Sequence, residues 1–425
     1  MDLVVIGLGY VGLPLAQAAS RAGLSVTGLD LNQSVVSGLN AGISHVDDLS
    51  DADIQAMLAT GFLATADSSV ISAAKTVVIC VPTPLSDEGG PDLAAVLGAS
   101  RSIAEHLVAG QLIVLESTTY PGTTDEEVRP ILEAGGLKAG VDFHLAFSPE
   151  RIDPGNPTYG ITNTPKVVGG HTQKCTEVAS DFYARFINEI IRAAGTREAE
   201  MAKLIENTYR HINIAMVNEL LQYSNLLGVD LWDSIRCASS KPFGFQAFYP
   251  GPGVGGHCIP IDPNYLSHRI KTISGQPFRF VELAQEINLG MPAYVRERAQ
   301  QVLNDDKKPL NGSKVLLIGV TYKANIADER ESPVRPLAQL LTADKANVSY
   351  FDPYVPTWNI DSEHGSHSGD RILKCENDLQ TAVAQADLVI VLQSHRDVDF
   401  NLVVAKSKKI LDTRAQLTGE NVVWL

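Results

Sequence analysis

The sequence predicts an α/β protein in which two doubly wound parallel sheets are separated by a helical middle. Three observations carry that expectation. Short apolar runs alternate with helical stretches from the first residues, the alternation gives way to one long uninterrupted helical pattern, and it resumes beyond a polar linker. In the first part Leu3–Gly7, Ser25–Leu29, Thr76–Val81, Gln111–Leu115 and Phe143–Ala146 are brief, apolar and bounded by turn residues, as buried parallel strands are. From Arg197 to Leu227 no Pro or Gly intervenes, and Met201, Leu204, Ile205, Ile212, Val217, Leu220 and Leu221 recur at helical spacing, roughly on one side. About 30 residues at 1.5 Å rise make a helix of roughly 45 Å, enough to bridge two domains. Asn304–Gly312 (NDDKKPLNG) reads as a linker, and Lys314–Gly319, Asn347–Phe351, Asp387–Leu392 and Lys409–Leu411 are the strands of the last part. Asp361–Asp370 is expected to be a polar surface loop. The domain boundaries expected are 1–196, 197–303 and 304–425.

Bulk properties narrow the function. A chain of 425 residues exceeds the roughly 250–300 at which one core stops growing. Its 34 basic and 49 acidic residues leave a net charge of −15, which argues against nucleic acid as a partner. An anionic small molecule stays possible, because a local basic cluster or a helix N-terminus holds phosphate inside an acidic protein. The five cysteines are widely spaced and form no CxxC pair, so neither a disulfide framework nor a zinc site is expected, and a reducing, cytoplasmic setting fits. The opening apolar run is too short to span a bilayer, and no membrane partner is expected.

The segment Gly7-Leu8-Gly9-Tyr10-Val11-Gly12 follows an apolar strand and opens a helix, and Asp30 closes the next strand 23 residues after Gly7. That is the context of a dinucleotide fingerprint in a Rossmann-type domain. Gly7 permits the tight turn, Gly9 lets a pyrophosphate approach the backbone, and Gly12 allows close helix packing. A carboxylate at Asp30 accepts from a ribose 2′-OH and repels a 2′-phosphate, which selects NAD over NADP. The strand ends at Pro82-Thr83 and at Thr118 lie where ligands bind such sheets.

A second unusual stretch is Gly251-Pro252-Gly253-Val254-Gly255-Gly256-His257-Cys258-Ile259-Pro260-Ile261-Asp262. So many glycines bring backbone close to something, and a cysteine and a carboxylate sit beside them, the pattern of a covalent nucleophile with an acid–base partner. Cys80, Cys175, Cys237 and Cys375 lack such surroundings and read as small buried hydrophobes. His257 reads as structural, since no converging metal ligands are evident. Lys203, Asn207 and Arg210 follow i, i+4, i+7 spacing and share a face of the long helix. An ammonium beside Cys258 would favour its thiolate and hold an oxyanion.

Together these pieces resemble the UDP-glucose/GDP-mannose dehydrogenase family over nearly the whole chain. The resemblance runs through Glu116–Thr124, Phe147–Asn156, Ala202–Glu219, Gly251–Pro263 and Gly319–Pro333. It implies an NAD-dependent four-electron oxidation of the C6 hydroxymethyl of a nucleotide-diphosphate sugar through a thiohemiacetal and a thioester on Cys258. It implies that Lys203 and Asn207 hold the oxyanion, that Asp262 serves the water or alcohol, and that Glu150 and Thr118 position the water. Arg151, Arg210, Tyr249, Gly253, Gly256 and Lys323 are then substrate contacts, and Arg330 a cofactor contact. A homodimer through the long helix is implied as well. His257 and Ile261 stand where the UDP-glucose branch usually has Ser and Lys, so the likeness is greatest to the UDP-N-acetylhexosamine branch. The alternatives are a UDP- or TDP-glucose dehydrogenase, a two-electron hydroxyacid-type dehydrogenase that leaves Cys258 idle, and a non-enzymatic sensor.

Overall fold

The computed structural model describes residues 1–46, 48–85, 90–153, 156, 158–256, 258–362 and 369–425, which fall into two compact units. The first comprises residues 1–206 and 264–276. Its sheet is built from β1 (Leu3–Ile6), β2 (Val26–Leu29), β3 (Leu63–Thr65), β4 (Thr76–Ile79), β5 (Leu112–Leu115), β6 (His144–Phe147), β7 (Lys166–Gly170) and β8 (Ile190–Arg192), in the order β3-β2-β1-β4-β5-β6-β7-β8. Strands β3 to β6 along that order are all parallel, and β7 enters antiparallel to β6. The order reverses on either side of β1, which creates the crevice where such sheets bind ligands. Side chains alternate between two cores. Leu3, Val5 and Val78 pack in one and Val4, Ile6, Val77 and Ile79 in the other, so the central strands are buried on both faces. The helices of this part are α1 (Gly12–Arg21), α2 (Gln33–Asn40), α3 (Asp51–Ala59), α4 (Ala94–His106), α5 (Arg129–Leu132) and α6 (Gln173–Tyr183).

Helix α7 (Thr196–Leu227) starts in the first unit and ends in the second. α8 (Leu231–Ala238) follows, and α9 (Asp262–Ser274) returns most of its length to the first unit. The second unit continues with α10 (Arg279–Asp305) and a parallel sheet β10-β9-β13-β14-β15, made of β9 (Lys314–Ile318), β10 (Asn347–Phe351), β13 (Leu388–Val391), β14 (Ile410–Asp412) and β15 (Val422–Trp424). A two-stranded ribbon of β11 (Thr357–Asn359) and β12 (Ile372–Lys374) adjoins α11 (Val334–Ala343), and α12 (Leu379–Gln385) and α13 (Phe400–Lys406) complete the winding. Val315 and Leu317 enter one core and Leu316 and Ile318 the other.

This is the expected fold class, with strand ends within two residues of those read from the sequence. The strands that sequence patterning omits are β3, β7, β8, β11, β12 and β15. Five of them have three residues, too few to show a period, and β7 ends in two glycines. Two further expectations are corrected. The apolar positions of α7 do not form one side: Leu204, Val217 and Leu221 are buried, whereas Ile205 and Leu220 are exposed. Cys237 is exposed, because α8 buries Leu231 and Ile235 and turns Cys237 away from them. Cys80 and Cys175 are buried and Cys375 is half-buried. Most of the polar loop 361–370, and His257, lie outside the described residues.

Candidate active site

The fingerprint glycines differ in what each is for. Gly7 has φ +90°, and a Cβ there would lie 2.8 Å from Cys80 O, so both the turn and the neighbouring strand demand glycine. A Cβ on Gly12 would lie 1.9 Å from Gly7 O, within the protein's own backbone. A Cβ on Gly9 would meet nothing within 4 Å. Packing therefore gives no reason for glycine at position 9, and the open space beside its backbone fits a ligand that comes close. Asp30 accepts from the Leu8 and Asn32 N–H groups, both at 2.9 Å, which fixes its carboxylate at the end of β2. Tyr10 and Pro82 are exposed along the same edge. Thr83 Oγ1 donates to Thr118 O (2.8 Å), and Tyr265 OH donates to Thr83 O, so the ends of β4 and β5 are tied together. These residues suit a dinucleotide: a glycine approach, a ribose-binding acid and adjoining strand ends.

Beside them Val11, Leu15, Glu116, Glu150, Arg151 and Lys166 line a small recess. Lys203 is only 6% exposed. Its ammonium donates to Glu150 O (2.5 Å) and lies 3.7 Å from the Glu150 carboxylate. Burial raises the Glu150 carboxyl above the usual range, while Lys203 and Lys166 pull it back. Arg151 is held by Glu206 (2.8 Å) and donates to Pro165 O (2.7 Å). Lys166 pairs with buried Glu116 (2.8 Å), which also accepts from Tyr183 OH. The ammonium of Lys203 thus ties α7 to the loop of Glu150 and Arg151. The Glu116–Lys166 pair is not evident from sequence, since its partners lie 50 residues apart.

In the second unit Cys258 is exposed, and its carbonyl accepts the Asp262 N–H (2.9 Å) as the turn that opens α9. Asp262 is only 3% exposed and accepts from Asn207 Nδ2 at 2.6 Å. Asn207 of α7 thus meets Asp262, four residues after Cys258. The glycines beside them are explained by the protein itself. A Cβ on Gly255 would lie 2.6 Å from Glu331 O, one on Gly256 2.7 Å from the Tyr322 ring, and one on Gly253 2.8 Å from Pro333 Cβ. Gly256 N–H donates to Arg330 O (3.3 Å). The Cys258 loop and the 322–333 segment, two separate sequence motifs, are therefore one packed structure.

Of the other expected contacts, Lys323 is half-buried, with its carbonyl accepting from Thr321 Oγ1 (2.8 Å). Arg330 forks onto Asp328 at 2.8 and 2.6 Å. Tyr249 is exposed and stacks on Trp232 at 5.9 Å. Arg210 lies on the exposed side of α7. Three residues escaped sequence reasoning. Asn218 accepts from Gly251 N–H (3.0 Å) and donates to Asn288 Oδ1 (2.9 Å), so a buried amide pair between α7 and α10 holds the start of the glycine loop. Arg414 donates to Leu392 O (2.9 Å), its guanidinium is 2.9 Å from where a Gly251 Cβ would be, and burial lowers its pKa to about 10. A lone Asp-Thr-Arg at a strand end was the only signal for Arg414. Among the described residues no group of three or more His, Cys, Asp or Glu is placed to hold a metal ion.

The chain is similar to known proteins over most of its length. Along its length the chain is 35% identical over 367 residues to the UDP-N-acetyl-D-glucosamine 6-dehydrogenase of Pseudomonas aeruginosa, covering 86% of each chain. It is 32% identical over 397 residues to the UDP-N-acetyl-D-mannosamine dehydrogenase of Pyrococcus horikoshii, covering 93% of this chain and 90% of the other. The solved structure of the UDP-D-ManNAc dehydrogenase from Pyrococcus horikoshii superposes with a TM-score of 0.88 at 30% identity, over 100% of this chain and 98% of that one. The UDP-N-acetyl-mannosamine dehydrogenase Cap5O of Staphylococcus aureus superposes at 0.84 with 32% identity, over 100% and 97%. Family models match residues 1–187 (NAD binding domain), 197–289 (central domain) and 316–419 (UDP binding domain), so the chain belongs to the UDP-glucose/GDP-mannose dehydrogenase family and is an NAD-dependent nucleotide-sugar dehydrogenase.

Proposed function

We propose that the protein oxidises the C6 hydroxymethyl of a UDP-N-acetylhexosamine to the carboxylate, in two oxidations joined by covalent capture on Cys258. The observation that carries this reading is the exposed Cys258 on its moulded loop, one turn before a buried Asp262 that Asn207 holds. NAD⁺, when bound, accepts a hydride in each oxidation. Gly7, Gly9, Gly12 and Asp30 hold it, with Thr83 and Thr118 at the neighbouring strand ends and Arg330 as a further contact. After the first oxidation the Cys258 thiolate adds to the aldehyde carbon, a C–S bond forms, and the oxygen takes a proton to give a thiohemiacetal. Lys203 and Asn207 steady the developing oxyanion. The second oxidation removes a hydride and a proton and leaves a thioester. Water, positioned by Glu150 and Thr118, gives a proton to Asp262 and adds to that carbon; the C–S bond breaks, the Cys258 thiolate is regenerated, and the new carboxyl group releases its proton to solvent to leave the carboxylate. Capture keeps the reactive aldehyde from escaping.

The N-acetylhexosamine assignment is supported by relatives with those substrates in their names and by Ile261. That side chain is buried, and a lysine in its place would need a partner for its charge. Arg151, Arg210, Tyr249, Gly253, Gly256 and Lys323 are the proposed substrate contacts. We place the enzyme in the cytoplasm, in keeping with five widely spaced cysteines that form no CxxC pair; no helix among the described residues is long and apolar enough to cross a membrane. We also propose a homodimer through α7, whose Tyr209, Met216, Leu220, Tyr223 and Leu227 are exposed at coiled-coil-like spacing.

The test is NADH formation against a panel of UDP-, GDP- and TDP-sugars, with mass spectrometry of the product. Two NADH per sugar and a uronic acid from UDP-N-acetylhexosamines are expected. In Cys258→Ser, cofactor binding persists while acid formation falls by about 100-fold or more. Undiminished acid production by that variant excludes the thioester.

A further inference from the structure

One buried carboxylate of the first unit has no part in the chemistry above. Glu200 is fully buried on α7, one turn before Lys203. Its two oxygens accept from Gly122 N–H (2.6 Å), Thr124 N–H (2.9 Å) and Thr124 Oγ1 (2.7 Å). Gly122 belongs to a tight turn, Tyr120-Pro121-Gly122-Thr123, in which Thr123 N–H returns to Tyr120 O (3.1 Å), and Thr124 directly follows it. Pro at its second place and Gly122 at φ +108° in its third are the requirements of a type II turn. The turn leads from Thr118 into the helical segment Thr124–Leu132, so the carboxylate also meets the positive end of that helix.

The upstream side of Thr118 is pinned independently: Ser117 Oγ donates to Val81 O (2.6 Å), and Thr83 Oγ1 donates to Thr118 O. Downstream, Glu200 holds the turn from within. The same helix, at one-turn steps, carries Lys203 against Glu150 and Glu206 against Arg151. We propose that Glu200 is a positioning residue. It fastens the 118–124 turn to the first turns of α7 and keeps Thr118 in register with Lys203 and the Glu150 loop. This rests on the roles given above to Thr118, Lys203 and Glu150.

Burial pushes the Glu200 carboxyl up to about 7, against the pull of its three donors, so the fastening titrates near neutrality. The charged groups around it are Asp125, which pairs with His171 (2.6 Å) and accepts from Thr196 Oγ1 (2.6 Å), and Glu126, which binds Arg197 and Arg269.

The experiment compares wild type, Glu200→Gln and Thr124→Val as full chains, reading kcat, KM for each substrate and the pH profile from 5.5 to 9. In Glu200→Gln kcat falls between about 10- and 100-fold, KM for the sugar nucleotide changes little, and the rate step near pH 7 disappears. In Thr124→Val, which keeps the carboxylate but removes one donor, that step moves to higher pH. If Glu200→Gln does not fold, Thr124→Val alone decides: a shifted step supports the proposal, and an unshifted one overturns it. Unchanged kcat and pH profile in a folded Glu200→Gln also overturn it. Lys203→Ala and Cys258→Ser run in parallel separate the two failures. If both retain acid formation, the catalytic reading falls; if both lose it while Glu200→Gln does not, only the positioning role falls.

Discussion

At the scale of single residues, the three fingerprint glycines form a graded test of what a missing side chain is for. Gly9→Ala adds a methyl to open space, so its melting temperature is expected to stay within a few degrees of wild type while KM for NAD⁺ rises about tenfold. Gly12→Ala drives a methyl into Gly7 O and is expected to lower stability by about 1–3 kcal/mol or more, read by denaturant titration. Equal effects of the two on NAD⁺ affinity and on stability would refute the distinction. Residues of this kind were legible because each carries a spacing: Gly7, Gly9 and Gly12 with Asp30, and Lys203 with Asn207. Cys258 announced itself through its glycines. Glu200 did not, although it extends the Lys203–Asn207 stripe by one turn, because its partners are 76 and 78 residues away in a loop with no period.

At the scale of elements, helix α7 acts as a rail to which loops are fastened. Thr196, Arg197, Glu200, Lys203 and Glu206 hold the 122–126 and 150–151 segments from its first three turns. The sequence showed the length of this helix, but not that part of its apolar surface is buried and part exposed, since periodicity alone cannot say which side meets a core. The rail has a pH signature. The folded pKa of Glu200, about 7, lies above its ordinary 4.5. Its protonation therefore stabilises the fold in full below pH 4.5, and that contribution is lost as pH rises through 7. At about 1.4 kcal/mol per unit the loss is on the order of 3 kcal/mol. Urea titrations from pH 4 to 8 are expected to show this decline in wild type and its absence in Glu200→Gln. Parallel slopes in the two proteins would exclude it.

At the scale of the whole molecule, the two parallel sheets and the helical middle followed from alternating apolar runs. The short edge strands did not, because three residues hold no period and an edge is defined by its neighbour. The proposed dimer is open to direct measurement. A double change, Leu220→Glu with Tyr223→Glu, places charge on the exposed side of α7 and is expected to convert a dimer to a monomer in light scattering without unfolding it. A dimer that survives both substitutions must use another surface. The loop that carries Cys258 has a further consequence at this scale. Tyr322, Glu331 and Pro333 form the mould into which Gly253, Gly255 and Gly256 are cast, with no space left for a single methyl. The Cys258 loop and the last domain are therefore not interchangeable cartridges. A hybrid that takes residues 304–425 from a distant relative inherits a differently shaped mould, and its thiol is mis-seated even though every reacting group is present. Sequence change in the last domain that keeps Cys258 seated is accordingly expected at side chains that leave the 322–333 surface intact.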